Sequence, residues 1–186
     1  RNRPSYLRRL MVALDSPPIG SPYYDIPDLA IGRLPARSTS DAMSLVQKIV
    51  TFVENPPDGT WKNKVLISAD DMRRSSGDPA PNEEDHTIQA ELLATEYVPL
   101  SLEVQKLYLI EYPVIGVYKP DGRRDLLAWL NEGTTMFYYV GHGAAVTLAD
   151  EHLFEITDIS GLSNGDRRFV FMAFSCDVGV YADPNS

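Results

Sequence analysis

The stretch TTMFYYV (residues 134–140) is a run of β-branched, aromatic and aliphatic residues, and it ends at Gly141-His142-Gly143. Such a run, closed by turn-forming glycine, is typical of a buried strand. Three further runs of this kind occur, so the sequence predicts four strands. The other three are KVLISA (residues 64–69), KLYLIEY (106–112) and RFVFMAFS (168–175).

Helical segments separate the predicted strands. Strands joined by helical crossovers form a parallel sheet with helices on both faces. The sequence therefore predicts an α/β fold with a mostly parallel sheet. The helical segments are a helix capped by Asp85 with apolar Ile88, Leu92 and Leu93, a short helix at residues 123–131 that stops near Gly133, and one or two turns at residues 157–162.

A strand at residues 28–33 and a helix at residues 39–54 are predicted ahead of the sheet. Polar capping residues precede the helix, and its apolar residues then recur on a single face. The proline pair at residues 56–57 ends it. We expect residues 1–57 to be the end of a first subdomain and residues 58–186 to form the α/β subdomain.

The composition excludes some classes of protein. The chain has 186 residues, a formal net charge of −9 and 44% apolar residues, enough for a buried core. Because phosphate-backbone binding needs clustered Lys and Arg, we expect no nucleic-acid partner. No run of about eighteen apolar residues occurs, so we expect no membrane span. The chain begins without Met or a signal-like apolar core, from which we expect a fragment or mature portion of a longer protein.

The residues that follow the predicted strands carry reactive groups. They are Asp70, Pro113, Gly141-His142-Gly143 and Cys176, the one cysteine of the chain. The carboxyl ends of parallel strands meet at one edge of a sheet, so an acid, a histidine and a thiol are expected together there. Cysteine-dependent hydrolysis needs a thiol, an imidazole that moves its proton, and an orienting group.

Each of these residues also has an ordinary structural interpretation. Taken alone, Cys176 is more often a small buried residue, His142 a turn residue and Asp70 a solvated loop acid. Their common placement favours a catalytic role, because three reactive residues should not meet at one sheet edge by chance. His86 and His152 do not share this placement, and a metal site of His142, His152 and Cys176 has no ligand spacing in its favour.

Gly143 follows the histidine directly, and its small size lets the main chain approach a substrate carbonyl. Its N–H, together with the N–H of Cys176, can then donate to a developing oxyanion. A flavodoxin-like ligand-binding domain is disfavoured, because no glycine-rich phosphate loop follows the first strand.

Longer segments around these residues are similar to a known family. They are DLAIGRLPARS (residues 28–38), QKIVTFVENP (47–56), WKNKVLISADD (61–71), HTIQAELLATEYVP (86–99), KLYLIEYP (106–113), YYVGHGA (138–144) and FMAFSCDVGVYADP (171–184). A strand that ends in His-Gly and a later one that ends in Cys resemble the caspase-like clan of cysteine peptidases. The amino-acid sequences of these segments resemble the gingipain family and its PorU-type relatives, the sortases of type IX secretion.

The resemblance implies a caspase-like three-layer sandwich and a cysteine endopeptidase that acts through a thioester. It implies that Cys176 is the nucleophile and His142 the general acid and base, with the N–H groups of Gly143 and Cys176 in the oxyanion hole. Asp70 corresponds to the acid that leans on the histidine in gingipain-like enzymes. Asp85 aligns with the acid that selects Arg or Lys in the substrate, although helix capping is the favoured interpretation of Asp85.

The resemblance also implies a protein or peptide substrate, a location outside the cell or on its surface, and no required cofactor. Structural calcium in the acidic loop at residues 70–91 is the alternative to a solvated charged loop. Because family domains continue beyond the cysteine, we expect a fold that is incomplete at its C-terminus and weakly active or inactive alone. A second chain or a missing segment would complete it.

Two other functions stay open. One is a PorU-like sortase, in which an amine takes the place of water. The other is a non-catalytic caspase-like interaction module, in which the cysteine and histidine are vestigial.

Overall fold

The structure, a computed structural model, describes residues 32–71 and 86–180. Asp85 and most of the strand predicted at residues 28–33 lie outside these ranges. Gly32 and Arg33, which are described, belong to neither a helix nor a strand. The chain divides into two compact units, residues 1–45 and 46–186. The division predicted after residue 57 stays a prediction.

A four-stranded parallel sheet is the centre of the second unit, as predicted. In the described residues the strands are β1 (Lys64–Ala69), β2 (Glu103–Tyr108), β3 (Met136–Val140), β4 (Gly143–Ala144), β5 (Thr147–Leu148), β6 (Phe154–Glu155) and β7 (Val170–Phe174). The sheet has the order β2-β1-β3-β7, and β4-β5-β6 form a separate, small antiparallel sheet.

The register of the parallel sheet aligns the ends of its strands. Ala69 pairs with both Tyr108 and Val140, and Val140 pairs with Phe174. The residues that follow β1, β3 and β7 therefore leave the sheet along one edge. This alignment is what places the candidate functional residues.

The second strand is displaced from its prediction. It ends at Tyr108, and a 3-10 helix at Leu109–Glu111 follows it. Pro113 is therefore not a strand-end residue, and that prediction is wrong. The apolar run continues past the strand because Leu109 is buried in the core, so a hydrophobic pattern alone does not mark where the strand stops.

Three α-helices occur in the described residues: α1 (Thr39–Glu54), α2 (His86–Leu92) and α3 (Pro120–Glu132). A π-helix at Leu93–Tyr97 continues α2, and a 3-10 helix spans Ile156–Gly161. The bounds of α1 agree with the prediction, although none of its residues is buried. Helix α3 begins three residues earlier than predicted, because the missing N–H of Pro120 costs nothing in a first helical turn.

Helices α2 and α3 pack against opposite faces of the sheet and make three layers. On one face, Leu126 and Leu130 of α3 pack with Leu66 and Phe137. On the other face, Ala90 of α2 packs with residues of β1 and β3.

The apolar face predicted for α2 is wrong at Ile88 and Leu92, whereas Leu93 is partly buried against the core as predicted. Ile88 is 66% exposed and Leu92 is 52% exposed, whereas Ala90 and Ala94 are buried. Small side chains let a helix approach a sheet closely, so the alanines occupy the packed side.

Candidate active site

The edge formed by the ends of β1, β3 and β7 brings together three of the predicted residues. Asp70 follows β1 directly, while His142 and Cys176 each lie two residues beyond a paired strand end. Main-chain hydrogen bonds continue past the strands, from Asp70 N to Val140 O at 3.0 Å and from Gly141 N to Phe174 O at 3.2 Å. The expected convergence of an acid, a histidine and a thiol therefore occurs.

Gly143 lies against the loop that carries the thiol. A Cβ atom at this position would overlap Ser175 Oγ and would lie 3.1 Å from the carbonyl oxygen of Cys176. The absence of a side chain thus lets the His142 and Cys176 loops pack directly on each other. His142 and Cys176 are both exposed to solvent, so a peptide can reach them.

The chain turns sharply after Cys176. Asp177 has a φ of +53°, in the left-handed region that residues other than glycine seldom adopt. The glycine at 179 also has a positive φ, of +73°, and Val178 between the two packs against the core.

Asp70 is buried, with 2% of its surface exposed, and is not the solvated acid that its loop alone would indicate. Its Oδ2 accepts a hydrogen bond from His142 N at 3.0 Å, and its Oδ1 accepts one from Asp71 N at 2.9 Å. Tyr139 Oη donates to His142 O at 2.6 Å. Asp70 and Tyr139 therefore hold the main chain of His142 on both its N–H and its C=O.

Burial raises the pKa of the Asp70 carboxyl to about 6, because the ionised form loses its hydration. The hydrogen bonds from the main-chain N–H groups of His142 and Asp71 oppose this rise. The same carboxylate thus holds the histidine loop in place and ionises near neutral pH.

A second buried acid, Glu151, has no counterpart among the predicted site residues. It is 1% exposed, and neither oxygen of its carboxyl has a hydrogen-bond partner among the described residues. Burial, and next the negative charge of Asp70, raise the pKa of Glu151 to about 7. Sequence reasoning missed it because it stands in a charged loop, where an acid is normally solvated.

Lys119 is also buried and forms an ion pair with Asp71. Its Nζ donates a second hydrogen bond to Leu109 O at 2.7 Å. This pair neutralises one of the two adjacent acids at the end of β1. No sequence signal connects the two residues, because forty-eight positions separate them.

His86, which follows none of the predicted strands, lies against the candidate catalytic histidine. The His86 and His142 rings are perpendicular, at 85°, with their centroids 5.5 Å apart. His152, in contrast, contacts Glu155 and Tyr118. The remaining predicted site residue, Asp85, lies outside the described residues.

The described ranges contain no group of three or more His, Cys, Asp or Glu residues suited to a metal ion. Most of the acidic loop in which calcium was considered is outside those ranges. Among the described helices, none is both long and apolar enough to span a membrane.

Comparison with known proteins gives one family and two solved structures. The sequence profile described as "Peptidase family C25" matches residues 11–186. No curated protein matches the chain. The crystal structure of the Arg-specific cysteine proteinase gingipain R is similar, with 20% identity and a TM-score of 0.64 over 85% of this chain. The complex of the RgpB pro- and mature domains of Porphyromonas gingivalis has 21% identity and a TM-score of 0.60 over 85% of this chain.

These structures share the fold of the chain, which confirms the predicted caspase-like α/β architecture. The chain spans 34% and 35% of the two solved chains. The predicted closeness to PorU-type sortases stays a prediction.

Proposed function

The chain belongs to peptidase family C25, and we propose that it is a cysteine endopeptidase whose catalytic pair is Cys176 and His142. The observation that carries the proposal is the register of β3 and β7. It sets both residues two positions beyond paired strand ends, with Gly143 packed on the main chain of Cys176. A thiol and an imidazole on adjacent loops are what acyl transfer to sulfur needs.

In the first half of the reaction, His142 takes the thiol proton and the sulfur of Cys176 attacks the carbonyl carbon of the substrate. The electron pair of the C=O bond moves to oxygen, where the N–H groups of Gly143 and Cys176 stabilise the negative charge. The tetrahedral intermediate collapses, the C–N bond breaks, and the leaving amine takes the proton from His142. A thioester on Cys176 remains.

In the second half, His142 takes a proton from water and the resulting hydroxide attacks the thioester carbonyl. The C–S bond breaks, the carboxylic acid leaves, and the sulfur regains the proton held by His142. Asp70 supports both halves by its hydrogen bond to His142 N, which keeps the histidine loop beside the thiol.

The proposed substrate is a protein or peptide. Gingipain R is described as Arg-specific, and the net charge of −9 of this chain favours the approach of basic substrates. Asp85 is the proposed contact for a basic side chain before the cleaved bond, in competition with its role as a helix cap. The proposed location is outside the cell or on its surface, with export by type IX secretion.

The proposed chemistry uses only groups of the chain and needs no cofactor, and calcium in the acidic loop would serve structure alone. Because the chain spans about a third of the gingipain chains, we also propose that a further segment or a second chain completes the domain.

Labelling of the full-length protein with a peptidyl chloromethyl ketone tests the catalytic pair. We expect mass spectrometry to show one adduct, on Cys176, formed at least about 100-fold more slowly in His142→Ala, the low end of what a general base contributes. His152→Ala is the matched control and should react like the parent. An inert thiol, or equal rates in parent and His142→Ala, would sink the proposal.

Peptides that differ only before the cleaved bond test the substrate. Arg and Lys peptides should react faster than neutral ones, and Asp85→Asn should remove that preference. Equal rates for all peptides, or an unchanged preference in Asp85→Asn, would leave Asp85 as a helix cap only.

A further inference from the structure

The imidazole of His142 needs a fixed orientation, and its main-chain contacts do not provide it. Asp70 and Tyr139 hold the N–H and the C=O of this residue. Rotation about the side-chain bonds leaves both of those hydrogen bonds intact. The orientation of the ring is therefore set by groups that touch the ring itself.

His86 touches that ring. The two imidazoles meet edge to face, with 5.5 Å between their centroids and 85° between their planes. This is a preferred geometry for aromatic pairs, and such pairs contribute about 0.5–1.5 kcal/mol beyond burial.

His86 belongs to an element that packs against the sheet. It is the first residue of α2, and Ala90, one helical turn later on the same side, is fully buried against the sheet. Helix α2 contacts both β1 and β3, the strands that lead to Asp70 and His142. The ring of His86 is thus presented to the site by an element packed on the sheet.

We propose that His86 is a positioning residue for His142. Contact with the His86 ring keeps the imidazole of His142 in the orientation from which it exchanges protons with Cys176. The proposal rests on the proposed function for its catalytic consequence. Its structural content, one ring fixing the orientation of another, is independent of that function.

The variants His86→Ala and His86→Phe distinguish the ring contact from other roles of this histidine. Alanine removes the ring, whereas phenylalanine keeps a flat ring of similar size that cannot titrate. His152→Ala is the matched control, because it removes a histidine whose ring packs edge-on against Tyr118, with 5.2 Å between the centroids.

Steady-state peptide cleavage by the full-length protein is the catalytic measurement. We expect His86→Ala to lower kcat about 2- to 13-fold with KM unchanged, the ratio that corresponds to loss of one aromatic pair. His86→Phe should retain most of kcat, and His152→Ala all of it. The proposal is overturned if His86→Ala keeps the parent kcat, if only KM changes, or if His86→Phe loses as much as His86→Ala.

Side-chain NMR couplings of His142 give a readout that does not depend on catalysis. We expect values for a single χ1 rotamer in the parent and in His86→Phe, and averaged values in His86→Ala. Unchanged couplings in His86→Ala would refute the proposal that His86 fixes the orientation of the His142 ring. If the proposed function fails, the full-length parent cleaves no peptide and its Cys176 stays unlabelled, while the His142 couplings still respond to His86→Ala.

Discussion

Gly141 occupies the most crowded position of the candidate site. Its φ of +156° is uncommon for residues with a side chain, and a Cβ there would overlap Asp70 Cβ and lie 2.6 Å from Tyr139 Oη. The two side chains that it would meet are those that hold the main chain of His142. A methyl group at this position must therefore displace the support of the histidine loop.

We predict that Gly141→Ala lowers the free energy of unfolding by about 1–3 kcal/mol, the usual cost of overpacking. It should also slow the labelling of Cys176, because Asp70 moves away from His142 N. Urea unfolding and ketone labelling measure the two effects. Gly161→Ala is the control, since no atom would lie within 4 Å of its new Cβ; equal stability of the two variants would contradict the prediction.

Glu151 makes stability depend on pH. Its pKa is about 7 in the folded chain, above the ordinary value of 4.5. Between these values the folded chain keeps a proton that the unfolded chain has released. The free energy of unfolding therefore falls as pH rises through this window, by a total of roughly 3 kcal/mol.

We predict that Glu151→Gln removes this fall and is more stable than the parent at pH 8, with little difference at pH 4. Urea unfolding over pH 4–8 measures it, and a smaller slope from Asp70, whose pKa is also raised, remains in both proteins. Asp150→Asn, which alters an exposed neighbouring acid, should keep the parental slope. The prediction fails if parent and Glu151→Gln have parallel pH profiles.

At the scale of elements, one ammonium group joins three of them. Lys119 precedes α3, pairs with Asp71 after β1, and donates to Leu109 O after β2. A buried ion pair adds little compared with apolar packing, but a buried carboxylate that loses its cation is costly. Removing this lysine should therefore loosen the carboxyl ends of both strands.

We predict that Lys119→Met costs about 3–5 kcal/mol of unfolding free energy, and that the double variant Lys119→Met/Asp71→Asn recovers part of it. Chemical denaturation measures both. The control Lys62→Met removes an exposed pair with Asp58, which should cost at most about 1 kcal/mol. A comparable small loss in Lys119→Met would show that the buried pair is not needed.

The elements that the sequence predicts best are those with the strongest local pattern. The bounds of β1 agree with the prediction, because every residue after Lys64 is buried and the apolar run stops where the strand stops. Strand β2 is displaced, because its apolar run continues into a 3-10 turn whose first residue, Leu109, is buried. Only the packed structure shows where such a run leaves the sheet.

The candidate site divides in the same way. The common placement of Asp70, His142 and Cys176 at one edge follows from the parallel direction of their strands, which the helical crossovers were enough to predict. The contact of His86 with His142 depends on which side of helix α2 packs on the sheet. The exposed Ile88 and Leu92 predict the wrong side, because alanines form the packed one. Glu151 is buried by tertiary packing that no local pattern records.

At the scale of the whole sheet, the central strands are β1 and β3. In the described part of the chain, β7 pairs only with β3, and its apolar side chains remain exposed. An edge strand opens more readily than a central one, because fewer main-chain hydrogen bonds and contacts hold it. Within the described residues, Cys176 thus follows an edge strand, whereas Asp70 and His142 follow central ones.

We predict that hydrogen exchange is fastest in β7 among β1, β3 and β7, and slowest in β1. Exchange measured by mass spectrometry on peptic peptides that cover the three strands tests this order. Low urea should likewise abolish ketone labelling of Cys176 before the far-ultraviolet circular dichroism changes. Equal protection of β7 and β1 would contradict the prediction.

The strand order also has a consequence for biosynthesis. The chain is made from its N-terminus, so β1, β2 and β3 leave the ribosome before β7. These three strands can pair among themselves, and β7 then adds at the edge without breaking any existing pair. The thiol reaches the histidine in the last pairing step of this sheet, and a nascent chain with β1, β2 and β3 already paired has no nucleophile in place to attack its neighbours.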